Sequence, residues 1–352
     1  VNHIKTPQEY CYYKTRAEMF QVAFVAPKSR LDVLNDVIDY LDKHGRTLGF
    51  GVTRIEKASV LRDTSLLSIS ETRNYDLMFL HLRNEIAIAH EQEQSKSKED
   101  ENAKQAIKLL ECVKKLEDIP KPKDALPWLV DTIQLQTHVS LRTTMLAMIQ
   151  KITQRVNEKH DNLMSPKSFE ISNGNIDSLP KDARYPLLAK PQSGENHQIS
   201  VIFNRKDMLS FINENKNTTV LTQVYSPHDS YMVKLFSIDG HAVPVYRTSI
   251  PRFAVGESET PRFDFVTLDY CGKVLDSDTV SGVTQMPDHI IDTISKVAKD
   301  VLGACMLEMD VIYDVVEKRW VIVDLNHFPS YNGAPREWIK QRMLEFITQY
   351  IK

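Results

Sequence analysis

The stretch CMLEMDVIYDVVEKRWVIVDLN, residues 305–326, carries the pattern that decides the fold. Two apolar runs, Cys305–Val316 and Trp320–Asn326, stand only a few polar residues apart, and this spacing predicts an antiparallel hairpin. We place its turn at Val316–Lys318. Since side chains alternate along a strand, the length of this turn determines which residues face each other, and one residue more or less would break the register.

Two acidic residues face each other in this predicted hairpin. A turn centred on Glu317 sets Asp310 directly opposite Asp324, and facing like charges are unfavourable unless a cation lies between them. Asn326 points to the same face because it lies two residues beyond Asp324. Carboxylate and amide oxygens suit Mg²⁺, which usually retains water and substrate phosphate. The hairpin therefore predicts a magnesium site, while the alternative for one aspartate alone is a solvated strand end.

A second predicted hairpin brings cations together. Its turn, Asp239–Gly240, favours type I′ because both central positions accept a positive φ. In this register Lys234 faces Val245, Arg247 is the diagonal neighbour of Lys234, and Ser249 lies on the same face. Adjacent cations repel unless an anion joins them. The pair indicates a phosphate site, and the alternative is a solvated basic face.

A third basic residue, Lys190, ends the predicted strand YPLLAK ahead of the glycine-containing loop PQSGENH. A lysine at a strand end can reach phosphates while such a loop closes over them. His197 follows, and its imidazole is able to bond a phosphate or a hydroxyl. For both residues the alternative is an ordinary solvated side chain.

Strand and helix signals outside these stretches predict an α/β protein of three parts. The predicted N-terminal part, residues 20–150, is an open α/β domain, followed by a central α+β domain at 151–225 and a C-terminal α+β domain at 226–352. The signals for the first are a strand at Phe20–Ala26, a helix ending at Gly45, strands at Tyr75–Leu82 and Leu129–Asp131, and a helix at Val139–Val156. Those for the second are strands at Tyr185–Lys190, Gln198–Phe203 and Thr219–Tyr225, and a helix at Lys206–Asn215.

Composition narrows the functional classes. The net charge of −3 over 352 residues disfavours nucleic acid as a partner, so any anion site must be local. The sequence contains no zinc spacing, no GxxxxGK[ST] loop and no apolar run long enough for a membrane span. Four scattered cysteines form no framework and fit a reducing compartment. We expect a cytoplasmic monomer.

The order of these features resembles the inositol-tetrakisphosphate 1-kinase (inositol 1,3,4-trisphosphate 5/6-kinase) family of ATP-grasp enzymes. Most of the likeness lies in the C-terminal half, where the family segment D-[IV]-N-x-F-P-G-Y is matched at Asp324, Asn326, Phe328, Pro329 and Tyr331. The stretch QVYSPHDSYMVK also resembles the family's Q-E-F-x-N-H-x-x-x-x-[FY]-K, with matches at Gln223, His228 and Lys234.

The resemblance implies an ATP-grasp fold, ATP as phosphoryl donor, two Mg²⁺ ions and a small inositol phosphate as substrate. It assigns metal binding to Asp310, Asp324 and Asn326. It assigns ATP binding to Arg142, Lys190, Gln223, Tyr225, Lys234 and Ser249. It assigns substrate binding to Lys28 or Arg30, and to His81, His197, Lys234, Asn326 and Ser330. Lys234 and Arg247 are the expected catalytic cations.

Three departures bear on the substrate. Ser330 replaces the glycine of F-P-G-Y, His81 stands where a substrate-contacting lysine is expected, and the loop from Lys190 to His197 is short. These departures keep two alternatives open. One is another ATP-grasp enzyme, a carboxylate-amine ligase that forms an acyl phosphate. The other is a non-catalytic protein that binds inositol phosphates on a kinase scaffold.

Overall fold

The computed structural model describes residues 19–57, 60, 75–95, 101–118, 128–160, 162–172, 174–175, 178–191, 198–216, 218–267 and 271–351. The chain forms two compact units. Unit 1 comprises Val1–Gln136, Gly303–Met306 and His327–Lys352, and unit 2 comprises Thr137–Leu302 and Leu307–Asn326. The division into three domains that we predict from the sequence stays a prediction beside these two units.

Unit 1 is built on a parallel sheet with the strand order β2-β1-β3-β4. The strands are β1 (Phe20–Ala26), β2 (Phe50–Glu56), β3 (Leu77–Leu80) and β4 (Trp128–Val130). The helices are α1 (Lys28–Val33), α2 (Asn35–Leu48), α3 (Arg83–Ser95), α4 (Glu101–Asp118) and α10 (Arg336–Ile351). Strands β1 and β3 are almost continuously apolar and buried, as expected for parallel strands covered on both faces. The predicted strand at Phe20–Ala26 is confirmed with its bounds.

The first predicted helix ends later than expected. We predicted its end at Gly45, but α2 continues to Leu48, and Gly49 takes the left-handed conformation with a φ of 92°. Gly45 lies inside the helix and packs against the ring of Phe50, which a Cβ at this position would overlap. A glycine that permits close packing was therefore mistaken for one that ends a helix.

Asp131 fastens three segments of unit 1 that are distant in the sequence. Its carboxylate accepts hydrogen bonds from the backbone N–H groups of Cys305 and Met306. It also lies 2.9 Å from Nε2 of His327. Asp131 is buried and has a positive φ of 64°, so its position at the end of β4 is tightly determined. These contacts hold residues 303–306 and His327 to the parallel sheet.

Replacing Asp131 with alanine is expected to lower the free energy of unfolding by about 3 kcal/mol, because two buried N–H groups and an imidazole lose their partner. Urea denaturation followed by circular dichroism would measure the loss. The matched control is Asp39→Ala, which removes an exposed carboxylate of α2 that pairs with Arg54. Equal, small changes in both variants would contradict the fastening role.

Unit 2 contains two five-stranded sheets. The first has the order β12-β8-β7-β9-β6 and the second the order β11-β10-β13-β14-β5. In chain order the strands are β5 (Leu163–Met164), β6 (Ser168–Ile171), β7 (Leu187–Pro191), β8 (Gln198–Ile202), β9 (Val220–Val224), β10 (Tyr231–Ile238), β11 (His241–Thr248), β12 (Phe263–Val266), β13 (Met306–Asp314) and β14 (Arg319–His327). The helices are α5 (Ile133–Ser140), α6 (Arg142–Asn157), α7 (Arg205–Glu214), α8 (Ser277–Ser281) and α9 (Asp288–Leu302). Met306 of β13, His327 of β14 and residues 133–136 of α5 are assigned to unit 1.

The helix predicted at Val139–Val156 is interrupted. Leu141 has extended φ and ψ values of −98° and 123°, so α5 ends before it and α6 begins at Arg142. The side chain of Leu141 is buried, which offsets the broken helical pattern. Arg142 therefore occupies the first position of a helix, where periodicity alone placed it inside one.

The two predicted hairpins have different outcomes. In β10–β11, Lys234 pairs with Val245, and Asp239 and Gly240 both have positive φ, so the predicted register is confirmed. In β13–β14, the prediction of a three-residue turn at Val316–Lys318 is wrong. The turn has four residues, Val315–Lys318, because the carboxylate of Asp314 accepts hydrogen bonds from two N–H groups inside it.

Within the described ranges, none of the helices is both long and apolar enough to cross a membrane.

Candidate active site

A cluster of charged side chains lies on three neighbouring strands of unit 2. Lys234 of β10 donates from Nζ to Oε1 of Glu308 at 2.5 Å and to Oδ1 of Asp310 at 2.8 Å, both on β13. On β14, Nδ2 of Asn326 is 3.4 Å from Asp324 Oδ2 and 3.5 Å from Glu308 Oε1. We call these five residues the carboxylate cluster. The structure thus brings Asp310, Asp324 and Asn326 together despite the longer turn.

Asp310 is the most perturbed acid of the carboxylate cluster. Burial raises its pKa to about 7, and the charges of Glu308 and Asp324 act in the same direction, against that of Lys234. A carboxyl that is costly to ionise here becomes favourable to ionise beside a dication. Two carboxylates and one amide, Asp310, Asp324 and Asn326, therefore fit an ion that prefers oxygen and keeps part of its water or phosphate shell, as Mg²⁺ does.

The carboxylate cluster does not rely on His or Cys ligands. In the ranges that the structure describes, no three His, Cys, Asp or Glu side chains converge in a geometry that could hold a metal ion. Lys234 occupies the space between Glu308 and Asp310. This donor set is consistent with a cation that binds together with a phosphate ligand, since Mg²⁺ is rarely held by dedicated all-protein cages.

The predicted environment of Lys234 is corrected in one respect. From the hairpin we expected Lys234 and Arg247 to form a cationic pair awaiting an anion, but Lys234 is already neutralised by two carboxylates. Burial alone would lower the pKa of Lys234, yet Asp310 and Glu308 raise it above the ordinary value. Arg247 is buried on β11 and donates from Nη1 to the carbonyl oxygen of Gly272 at 3.2 Å. Lys234 is therefore a cation held among acids.

Ser249 is oriented by a buried histidine. Nδ1 of His228 lies 2.9 Å from the carbonyl oxygen of Ser226, and a carbonyl only accepts, so Nδ1 carries the proton. Nε2 of His228 therefore accepts from the hydroxyl of Ser249 at 2.9 Å. Burial lowers the pKa of His228, which favours this neutral form. The structure therefore contains a Ser–His pair in which the carbonyl oxygen of Ser226 orients the imidazole.

Two cations of unit 2 lie within electrostatic reach of each other. Lys190 is 5% exposed at its place in β7, and Arg142 begins α6. Burial lowers the pKa of Lys190 to about 8, with the charge of Arg142 as the next cause, while Asp324 and Asp310 oppose the shift. A buried lysine beside an arginine is costly unless an anion approaches both. The phosphate-binding roles predicted for Lys190 and Arg142 stay predictions.

Gln223 and Tyr225 flank the end of β9. Gln223 is 1% exposed, and its Nε2 has no hydrogen-bond acceptor among the described residues. A buried amide donor without an acceptor costs about 1–3 kcal/mol, so a ligand acceptor would be stabilising there. The hydroxyl of Tyr225 accepts from the N–H of Phe253 at 3.1 Å. The orphaned amide fits the assignment of Gln223 to nucleotide binding, whereas Tyr225 is engaged in a loop contact.

The other substrate candidates lie in unit 1 or outside the described residues. Lys28 is exposed and Arg30 half-buried, both in α1, and Ser330 is half-buried after β14. His81 is 5% exposed, packs edge-on against Phe328, and has a pKa lowered well below its ordinary value, first by burial and then by Lys57. His81 is thus neutral and does not replace the charge of a lysine. His197 lies outside the described residues.

Two features of this region were not predicted from the sequence: Glu308, and the positioning role of His228. Glu308 precedes Asp310 by two residues and so shares its strand face, a signal that alternation alone provides. Its partner Lys234 lies 74 residues away in the sequence, which no local pattern discloses. His228 was recognised only as a motif match, because its bond to Ser249 depends on the fold of the loop before β10.

The fold and these residues define an ATP-grasp protein. PsnB, an ATP-grasp ligase solved with a minimal precursor, has a TM-score of 0.58 and 11% identity to this chain, covering 94% of this chain and 99% of that chain. Residues 157–349, more than half of the chain, match the family described as the inositol 1,3,4-trisphosphate 5/6-kinase ATP-grasp domain. The chain belongs to this family, which confirms the resemblance and the ATP-grasp fold.

Curated relatives are similar over the same part of the chain. The inositol-tetrakisphosphate 1-kinase of Xenopus laevis is 28% identical over 160 residues, which cover 43% of this chain and 39% of that protein. The inositol-tetrakisphosphate 1-kinase of Danio rerio is 26% identical with the same coverages. The chain therefore spans about two fifths of the length of these relatives. Every assigned ATP and metal residue that the structure describes lies in unit 2.

Proposed function

We propose that this chain transfers a phosphoryl group from ATP to a hydroxyl of an inositol tris- or tetrakisphosphate. The observation that carries the proposal is the carboxylate cluster, because it unites a largely buried cation with three residues that offer oxygen ligands inside the matched region. Relatives named inositol-tetrakisphosphate 1-kinases support the substrate class. The cytoplasmic location and the monomeric state stay predictions.

Phosphoryl transfer requires alignment and charge neutralisation more than covalent chemistry from the protein. Magnesium, with two ions proposed, would be held by Asp310, Asp324 and Asn326 and would neutralise phosphate charge. Arg142 and Lys190 would bind the nucleotide phosphates, and Gln223 would donate to an acceptor of the base. ATP and magnesium are the general requirements of ATP-grasp kinases.

Lys234 and Arg247 are the cations that we assign to the transferring group. A fixed cation stabilises the charge that develops in the transition state without reorganisation cost. Ser249, oriented by His228, would hold the nucleotide. The substrate's own phosphates would contact Lys28 or Arg30 and His197, and its hydroxyls His81, Asn326 and the segment around Ser330. No residue is assigned as a general base, so the substrate hydroxyl attacks the γ-phosphate directly.

The test is a kinase assay of the purified chain with ATP, Mg²⁺ and a panel of inositol phosphates, with the phosphorylated position assigned by NMR. Phosphate transfer to at least one inositol tris- or tetrakisphosphate is the expected result. ADP release that depends on a carboxylate and an amine, with acyl phosphate formation, would instead identify a ligase. ATP binding without kinase or ligase activity would contradict the proposal.

A second candidate is a non-catalytic inositol phosphate-binding protein. The neutral, buried state of His81 favours it, because the position offers no charge to a substrate phosphate. Calorimetric binding of inositol phosphates without turnover, in the presence of ATP and Mg²⁺, would support this candidate over the kinase.

The pKa of Lys190 makes nucleotide affinity dependent on pH. Lys190 loses its proton as the pH rises through about 8, so its attraction for phosphate declines above that value. We expect ADP affinity to fall about tenfold between about pH 7 and about pH 9, because roughly nine tenths of Lys190 is then neutral. Isothermal calorimetry at several pH values measures this, with Lys190→Arg as the control that keeps its charge. The same slope in both proteins would contradict the assignment.

A further inference from the structure

Glu308 is a buried carboxylate without a role in the proposed mechanism. Its side chain is 10% exposed and accepts from Nζ of Lys234 at 2.5 Å. The same oxygen, Oε1, lies 3.5 Å from Nδ2 of Asn326. Glu308 therefore contacts both the cation assigned to catalysis and one residue assigned to the metal.

Two cations, Lys234 and magnesium, compete for the carboxylate of Asp310. It bonds Lys234 at 2.8 Å in this structure, and it is also one of the residues assigned to magnesium. A dication on Asp310 would repel the ammonium of Lys234 and weaken that bond. Glu308 is outside the assigned metal set, so its carboxylate remains available to Lys234.

Glu308 lies on the strand where Lys234 can reach it without leaving Asp310. Glu308 and Asp310 are two residues apart on β13, so they share a face with a separation of about 7 Å along the strand. Lys234, on the adjacent β10, bonds both carboxylates. If the ammonium group of Lys234 moved from Asp310 to Glu308, it would stay on the same face of the sheet. The contact with Asn326 also directs the amide nitrogen toward Glu308, and so the amide oxygen away from it.

We propose that Glu308 is a positioning residue that holds Lys234 beside the metal ligands and prevents it from competing with magnesium for Asp310. The proposal rests on the proposed function, because it takes Asp310 as a metal ligand. It adds a further requirement: the charge on Glu308 couples magnesium binding to the placement of the catalytic cation.

Removal of this charge has opposite effects on two affinities. Without Glu308, Lys234 depends on Asp310 alone and competes with the metal, and the cluster also loses a negative charge, so magnesium binds less tightly. ADP without metal binds more tightly, because Lys234 has lost one of its two carboxylate partners and because the cluster, with one negative charge fewer, repels the phosphates less. General structural damage would weaken both affinities together.

The test compares Glu308→Gln with Glu317→Gln, which removes the same charge from the exposed turn of the same hairpin. ADP binding is measured by isothermal calorimetry in EDTA and across a magnesium titration. For Glu308→Gln we expect about a tenfold increase in the magnesium concentration needed for half-saturation, and about a tenfold increase in ADP affinity in EDTA. Glu317→Gln should match the wild type in both.

Unchanged affinities, or affinities that both fall, in Glu308→Gln would overturn the proposal. The kinase assay of the wild-type chain with the inositol phosphate panel separates this failure from failure of the proposed function, which is shown by the absence of phosphoryl transfer to any inositol phosphate and not by the ADP affinities. Thermal unfolding by circular dichroism checks the fold of each variant. If Glu308→Gln does not fold, Glu308→Asp takes its place: it keeps the charge but shortens its reach toward Lys234 by one methylene group, so smaller shifts in the same opposite directions are expected, and parallel losses would contradict the proposal.

Discussion

Replacing Asp324 with asparagine is expected to lower kinase turnover at least about a hundredfold, because loss of one metal ligand removes several kcal/mol of charge stabilisation. Asp324 lies beside Asn326, with 3.4 Å between Asp324 Oδ2 and Asn326 Nδ2, and its charge acts on Asp310. The amide of asparagine has nearly the same shape, so the fold should be retained. The measurement is kcat across a magnesium titration with the best inositol phosphate substrate.

The control for this substitution is Asp278→Asn, which makes the same change on the exposed surface of α8. It should keep wild-type turnover and the wild-type magnesium requirement. If Asp324→Asn reached wild-type turnover at saturating magnesium, the metal assignment would be wrong.

Replacing Lys234 with methionine is expected to remove most kinase activity, with kcat reduced about a hundredfold or more and the KM for ATP changed less. The reason is that a cation on the transferred group acts chiefly in the transition state. Steady-state kinetics with ATP varied would separate the two constants. A kcat near the wild-type value with only a raised KM would make Lys234 a ground-state contact and refute its catalytic role.

The same substitution is also expected to lower stability, by about 2–4 kcal/mol, because Glu308 and Asp310 would lose their shared cation in a largely buried place. The hairpin register alone would suggest a neutral effect on folding, since it shows neither acid. The double variant Lys234→Met with Glu308→Gln should recover part of the stability and none of the activity. Urea denaturation measures the loss and the recovery of the free energy of unfolding. If the double variant regained kinase activity together with stability, the stabilising and catalytic roles of Lys234 would not be separate.

Local patterns in the sequence predicted most of the elements that form the site. The Asp239–Gly240 turn placed Lys234 opposite Val245, because a type I′ turn sets the register of the strands it joins. The sequence placed Asp310, Asp324 and Asn326 near one another on a single hairpin, and the structure brings them together. The direct facing of Asp310 and Asp324 depended on a three-residue turn, which the structure does not have, and stays a prediction. The motif in the C-terminal half correctly indicated the family and the fold.

Residues that act through packing were predicted less well. Gly45 was taken as a helix end, although its role is to admit the ring of Phe50. The break at Leu141, which makes Arg142 the first residue of α6, depends on burial of the leucine side chain. The four-residue turn depends on the carboxylate of Asp314. Each of these outcomes depends on a packing or hydrogen-bonding contact that the hydrophobic periodicity of the sequence does not show.

The sequence by itself determined the mixed α/β elements, the family, and which residues are candidates for phosphate and magnesium binding, because residue types and short spacings express these properties directly. Only the tertiary structure decided that Lys234 lies between Glu308 and Asp310, that His228 orients Ser249, and that His81 is buried and neutral. Charge state and hydrogen-bond partner depend on groups brought together from distant parts of the chain and on their exclusion from water, and both arise only when the chain folds.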